Sequence, residues 1–248
     1  QYSSIDLILS ALAYSCLIYV DFSGYSDLAN AISSLLGFKP IQNFNMPYRS
    51  QSLQEFWRRW HISLSEWLRD YLYIPLGGSK KGKFRKHFNL LLTMVIGGFW
   101  HGAGLNFIIW GGLHGIGLIV NHLWKDFCKM FQHNSSSTMP SSQTSFQKLR
   151  ANIAQFCSLI LTFSFVPLCW IFFNTPNYEN AIKFLQGMFN FSSGISTVQF
   201  NVWQLYVVFF IVLLMNFAGD KISNFFSKLL SSQHLLLQTT LIFSLLYV

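Results

Sequence analysis

The sequence predicts an all-α, polytopic transmembrane helical bundle. Hydrophobic residues make up 52% of the 248 and charged residues only 10%, where a soluble domain carries about 25% charged residues. The chain also holds 26 Phe and 8 Trp, more apolar area than so few charges keep in solution. The third observation is arrangement. The basic residues behind the formal net charge of +8 fall in loops between apolar segments, an orientation signal of membrane proteins rather than the basic face of a nucleic-acid binder.

In chain order, Ile5 to Val20 is a first apolar segment, a crossing taking roughly 20 such residues. Asp21 and Asp27 flank Phe22-Ser23-Gly24-Tyr25-Ser26 at its end. Acids at that depth are expected to pair with a basic side chain or a helix N-terminus, or else to line a tunnel. Residues 52–76 read as one amphipathic interfacial helix. Ser52 and Glu55 have capping-box spacing, Trp57, Trp60, Leu64, Trp67, Leu68 and Tyr71 recur at three- and four-residue steps, and Pro75-Leu76-Gly77-Gly78 ends it. Two apolar arms follow, Phe88 to Trp100 and Asn106 to Trp124, with only a His-Gly-Ala-Gly-Leu break between them. The first arm is short for a crossing, so the pair reads as a re-entrant hairpin with His101 at its tip.

Residues 125–152 read as a polar loop, serine-rich from His133 to Ser145. Ile153 to Phe173 is a full-length span, Trp203 to Ala218 another, and Leu235 to Val248 a fourth that the chain end cuts short. The expected organisation is one integral-membrane unit over 1–248, with its motif-bearing core at 20–124 and C-terminal transmembrane helices at 153–248. With no initiator methionine and an end in mid-span, it reads as part of a longer protein.

Charge supports the hairpin. With the loop from Asp21 to His87 cytoplasmic, a hairpin brings Lys125, Lys129, Lys148 and Arg150 back to the same side. The next two spans return the chain there for Lys221 and Lys228, leaving Lys183 outside. A single crossing over 88–124 would instead divide these basic loops between the two faces. Cys16, Cys128, Cys157 and Cys169 have neither paired nor metal-like spacing and read as packing residues.

His101 stands in an otherwise uncharged apolar run with glycines on both sides, and an ionisable group at membrane depth points to function by default. His61, directly after Trp60, is not explained by an interfacial helix. His114 lies on the second arm among Gly111, Gly112 and Gly115, where close helix packing and chemistry are both open. Two other classes fit parts of the pattern. One is a transporter or channel with a histidine-lined path, although no internal repeat is visible. The other is a haem held by His101 and His114, although both lie on one hairpin. His61, His101 and His114 lack a regular metal-ligand spacing.

Five stretches occur here in an order shared by one family. They are Asp21-Phe22-Ser23-Gly24-Tyr25-Ser26-Asp27; Asn43-Phe44-Asn45-Met46-Pro47-Tyr48-Arg49-Ser50; Glu55-Phe56-Trp57-Arg58-Arg59-Trp60-His61-Ile62-Ser63-Leu64-Ser65; Trp67 through Gly78; and Trp100-His101-Gly102-Ala103 with Trp110-Gly111-Gly112-Leu113-His114-Gly115. Over Val20 to Trp124 the chain resembles the membrane-bound O-acyltransferases, in the bacterial branch of alginate and peptidoglycan O-acetylation, and looks like their C-terminal half. Leu105 departs from the aromatic residue expected there.

The resemblance implies His101 and His61 as catalytic residues lining a tunnel. It also makes Trp100, Asp70, Arg69, Arg59, Asn106 and His114 candidate substrate-binding residues. Arg58, Arg59 and Arg69 could grip the phosphates of a coenzyme A donor, their plainer role being contact with anionic membrane lipids. It further implies the bacterial cytoplasmic (inner) membrane and acetyl-CoA or another acetyl thioester as cytoplasmic donor, with no bound cofactor expected; the histidine spacing gives no metal site. The implied partners are a periplasmic or membrane-tethered SGNH-type protein that accepts the acetyl group and a polysaccharide as final acceptor, with no nucleic acid.

Overall fold

The computed structural model describes residues 2–133 and 145–190, together with Phe210 and Lys228. The predicted spans Trp203 to Ala218 and Leu235 to Val248 lie outside these residues, as does nearly all of the serine-rich loop. The described residues form helices joined by turns: α1 (Ser4–Leu35), α2 (Leu53–Arg59), α3 (Ile62–Leu68), α4 (Gly82–His101), α5 (Leu105–His133), α6 (Ser145–Asn174) and α7 (Tyr178–Met188). A 3-10 turn covers Pro47–Arg49, and a π-helical turn, Arg69–Tyr73, continues α3. Among the described residues, three stretches are long and apolar enough to cross a membrane: Ser4–Leu35, Leu105–Met130 and Leu149–Asn174.

α1 runs well past the expected limit at Val20. Ser3 and Asp6 form a reciprocal capping box at its start, and no proline interrupts the chain before Pro40. Asp21 and Asp27 are therefore carried on exposed positions inside the helix rather than at its end. It stops where Gly37 takes φ 84°, with Phe38 N–H bonded back to Ser33 O at 2.9 Å and Gly37 N–H to Ser34 O at 3.0 Å, the Schellman arrangement that closes free carbonyls. At its other end, the Ser4 hydroxyl donates to Asn190 O at 2.7 Å, tying α1 to the chain just beyond α7.

The hairpin forms as expected, with α4 and α5 joined by a turn of three residues between His101 and Leu105. The arms touch backbone to backbone. A Cβ on Gly98 would stand 2.3 Å from Phe107 O, and one on Gly111 would stand 2.3 Å from Met94 O. Small residues at these crossings let helices approach in lipid, where apolar attraction alone does not drive association.

The expected single helix over 52–76 is broken in two. Ser52 does cap it, accepting Glu55 N–H at 3.2 Å, but the Glu55 carboxylate accepts from Gln51 N–H rather than Ser52 N–H. The break falls at Trp60 and His61, and His61 adopts φ 43°. An extended stretch crosses it: Asn45 N–H donates to Arg59 O at 2.9 Å and Ile62 N–H donates to Asn43 O at 3.0 Å. These bonds satisfy backbone groups that a continuous helix would have satisfied internally. Trp60, 3% exposed, anchors the break against Phe22, Phe44, Tyr48, Phe56 and Trp170.

Replacing Gly111 with Ala is expected to lower stability by about 1–3 kcal/mol through overpacking against backbone. Gly112→Ala, whose Cβ would meet only Val95 Cγ2 at 4.0 Å, should be near neutral. Thermal unfolding of the two detergent-solubilised variants compares them, and equal losses would contradict the contact.

Candidate functional site

His61 and His101 line one cavity of about 340 Å³. Its wall is otherwise almost wholly apolar: Ile18 and Phe22 from α1, Trp57 from α2, Leu64 from α3, Trp100 from α4, Trp110 from α5, and Trp170 and Phe173 from α6, with Trp60 at the break. His101 ends α4. Its imidazole meets Trp100, Trp110 and Phe173 with ring centroids 4.8, 5.2 and 5.1 Å away. Sequence spacing put His101 at a hairpin tip, and the fold brings His61, forty positions earlier, to the same space.

His61 is held from two sides. Its Nδ1 lies 3.1 Å from Asn43 Oδ1, and its ring packs edge-on against Phe22 at 4.7 Å between centroids. A non-glycine residue at φ 43° is uncommon, and such strain gathers at functional sites. It lies outside the three spans, and burial, with a smaller contribution from His101, pushes its pKa down to about 4. The ring is therefore neutral near pH 7, the form that accepts a proton.

His114 sits apart from this cavity. It is completely buried, its Nδ1 accepts the Trp57 indole N–H at 3.3 Å, and its ring stacks on Phe56. Because the indole only donates, the His114 proton must be on Nε2, which finds no hydrogen-bond partner among the described residues. His101 and His114 both pack on the Trp110 indole, at 5.2 and 5.0 Å, so an aromatic side chain stands where a haem shared by them would need room. Among the described residues, no three His, Cys, Asp or Glu side chains gather as a metal ion would require.

A second cavity, about 510 Å³, adjoins through Trp57, the one residue among those described that lines both. Its rim is polar and cationic, with Arg58, Arg69 and Lys86 against the single carboxylate of Glu66, alongside Gln54, Ser65 and Ser79. Arg69 also pairs with Asp70 at 2.7 Å. That exposed pair holds the Asp70 carboxyl below its ordinary value through the Arg69 hydrogen bond.

The other candidates are engaged elsewhere. Arg59 binds Glu55 at 2.9 Å and donates to Asn45 O, bracing the helix break. The Asn106 amide donates to Phe172 O at 3.2 Å and Thr175 O at 3.0 Å, closing the C-terminal end of α6. Trp100 lines the histidine cavity while remaining 65% exposed.

Sequence reasoning missed Asn43, Trp110, Trp170 and Phe173 as members of the site. Asn43 and Trp110 stood inside the quoted motifs, so the signal was there. Trp170 and Phe173 carried none, because they are two aromatics within an apolar span.

A polytopic helical membrane protein with two histidines in an aromatic cavity, and a cationic basin beside it, is thus the class that fold and site define. Sequence comparison agrees: the profile of the membrane-bound O-acyltransferase family matches residues 1–164, and the chain belongs to that family. It is 43% identical over 186 residues to the peptidoglycan O-acetyltransferase of Helicobacter pylori, covering 75% of this chain and 32% of that protein. It is 41% identical over 188 residues to the probable alginate O-acetylase AlgI of Pseudomonas aeruginosa, covering 76% and 32%. A teichoic acid D-alanyltransferase of Streptococcus thermophilus is 41% identical over 118 residues, covering 45% of this chain and 28% of that protein. The chain spans about a third of the length of the first two relatives.

Burial of neutral His61 sets a stability slope. The folded pKa, about 4, lies below the ordinary 6.5, so the unfolded chain binds the extra proton first as pH falls. Stability should decline from about pH 6.5 towards pH 4 and level off below it. His61→Gln is expected to flatten part of that decline in pH-dependent melting, and an unchanged slope would show that His61 does not contribute.

Proposed function

We propose that this chain carries the catalytic core of a bacterial inner-membrane O-acyltransferase. Its parent moves an acetyl group from a cytoplasmic thioester donor towards a hydroxyl acceptor on the far side, for O-acetylation of an envelope polysaccharide such as alginate or peptidoglycan. The observation that carries this reading is the pairing of His61 and His101 in one aromatic cavity. Acetyl rather than D-alanyl transfer is favoured because the two O-acetylating relatives match about three quarters of the chain, and the D-alanyltransferase under half.

In this mechanism the acceptor hydroxyl enters the cavity and His101 takes its proton as the oxygen attacks the acyl carbonyl. The new C–O bond forms, the C–S bond breaks, and the departing thiolate recovers the proton from the imidazolium. Histidine suits both transfers because its ordinary pKa is near neutral. The aromatic wall holds out water, which would otherwise consume the thioester. His61 serves the donor side, either polarising the carbonyl or sharing the proton.

The donor is acetyl-CoA or another acetyl thioester. Its anionic portion rests among Arg58, Arg69 and Lys86, and its acyl arm reaches past Trp57. Guanidinium groups grip phosphate through paired hydrogen bonds, which suits this basin better than a neutral carrier would. The immediate acceptor is an SGNH-type partner, periplasmic or membrane-tethered, that passes acetyl on to the polysaccharide.

In the full-length parent, His101→Ala is expected to lower O-acetyl content of the envelope polysaccharide by about 10²–10⁴-fold in rate, at matched membrane protein levels. Retained acetylation would overturn the assignment. Lys86→Ala should raise the KM for donor several-fold with kcat little changed, and an unaltered KM would remove the basin from donor binding.

A further inference from the structure

Three hydrogen bonds on the Asn43 amide decide where the His61 ring carries its proton. Asn43 Oδ1 accepts the Ser63 backbone N–H at 3.3 Å and the Ser63 hydroxyl at 2.9 Å, while Asn43 Nδ2 donates to the Ser26 hydroxyl at 3.1 Å. A backbone N–H can only donate, so the amide cannot be turned over: its oxygen must face Ser63. That same oxygen lies 3.1 Å from His61 Nδ1. Two lone pairs would repel at that distance, so Nδ1 holds the hydrogen and Nε2 of the neutral ring holds the lone pair.

Asn43 is itself fixed. Its backbone carbonyl accepts Ile62 N–H at 3.0 Å, and Asn45 two residues on donates to Arg59 O. The amide therefore bridges α1, through Ser26, to the start of α3, and His61 is presented at φ 43° between them.

We infer that Asn43 is a positioning residue that holds His61 as its Nδ1–H tautomer, so that His61 meets the reaction as a proton acceptor at Nε2 and not as a donor that polarises the acyl carbonyl. This rests on the acyl-transfer reading of the cavity. In the step, His101 draws off the acceptor O–H proton as oxygen bonds to the acyl carbon and the C–S bond breaks, and the Nε2 lone pair of His61 takes that proton on from His101. The Nδ1–H bond to Asn43 steadies the resulting imidazolium, and the proton leaves with the departing thiolate. The titratable group whose charge is felt at His61 is His101 on α4. α1 presents Phe22 to the ring, and Trp170 and Phe173 of α6 line the same cavity.

Two measurements on the full-length parent test this. The first needs no turnover: ring ¹⁵N NMR of histidine-labelled protein, with His61 assigned by difference from His61→Gln, should show a neutral ring protonated at Nδ1. In Asn43→Ala the Nε2–H form should gain. A ring already protonated at Nε2 in the parent overturns the proposal.

The second is the pH profile of acetyl transfer. In Asn43→Asp, nearly the same shape, a carboxylate faces Nδ1–H and favours the imidazolium, so the acid limb of kcat should rise by about one unit or more. Asn43→Ala should lower plateau kcat roughly tenfold while leaving donor KM unchanged, less than the about 10²–10⁴-fold of general acid–base catalysis because the base itself is retained. His61→Gln, which still offers an N–H to a carbonyl, should lose activity. An unmoved acid limb in Asn43→Asp, or an active His61→Gln, overturns the proposal. An Nδ1–H ring found together with full acetylation by His101→Ala would instead overturn the catalytic reading and leave the tautomer standing.

Discussion

The close approach of α4 and α5 is the constraint on which the site depends. At Gly98 and Gly111 the two helices meet at a distance that leaves no room for a Cβ. His101 ends one arm, and Trp110 and His114 lie on the other, so their relative placement is set by backbone contact rather than by adjustable side chains. In lipid this matters more than in water. Leucine packs as well against an acyl chain as against another helix, and specificity must come from shape and polar contacts. Asn106 extends the same logic to α6: its amide closes carbonyls of Phe172 and Thr175 at that helix end, in the same turn that carries Trp170 and Phe173.

The second half of the cavity is built by a break. A continuous helix through 52–76 would carry His61 on a regular helical face. Instead the chain turns through a left-handed residue, and the stretch Asn43–Asn45 takes up backbone groups across the gap. A strained conformation persists only where its surroundings over-determine it, and these do: backbone bonds on both sides, the Asn43 amide on the imidazole, and Trp60 buried among aromatic rings. Arg59, bound to Glu55 and Asn45 O, belongs to the same brace. This gives a local reason for an arginine that sequence alone left between phosphate and lipid.

What was legible in the sequence follows from the kind of physics that wrote it. Composition and the spacing of apolar runs revealed a helical membrane protein and the hairpin, because lipid demands long apolar stretches and glycine marks close approach. His101 was legible because an ionisable residue in an apolar run is conspicuous. The limits of α1 were not, since a few polar residues on an exposed face interrupt hydropathy without interrupting a helix. The break at His61 was also hidden. Its three- and four-residue spacing continues across the gap, and the bonds that stabilise it come from Asn43 and Asn45, which periodicity does not connect to it. Trp170 and Phe173 read as ordinary span residues because only tertiary packing tells a lipid-facing aromatic from a cavity wall.

On the proposed acyl-transfer reading, the two cavities would divide the physical requirements of moving a charged donor's acyl group within a membrane. Charge is best held where water and several donors share the cost of desolvation, and the basin offers Arg58 and Lys86, with Arg69 paired to Asp70, beside the Glu66 carboxylate. Proton transfer from a hydroxyl is best done where water is scarce and a neutral base stands ready, and the histidine cavity has a wall of indole and phenyl rings. Trp57 belongs to both, and its only polar atom is committed to His114 inside the core. The boundary between the two cavities is thereby anchored to α5, the helix that also presents Trp110 to the histidine cavity. His114, buried outside the cavity, is the acceptor for the Trp57 indole N–H and so holds in place the side chain that lines both cavities.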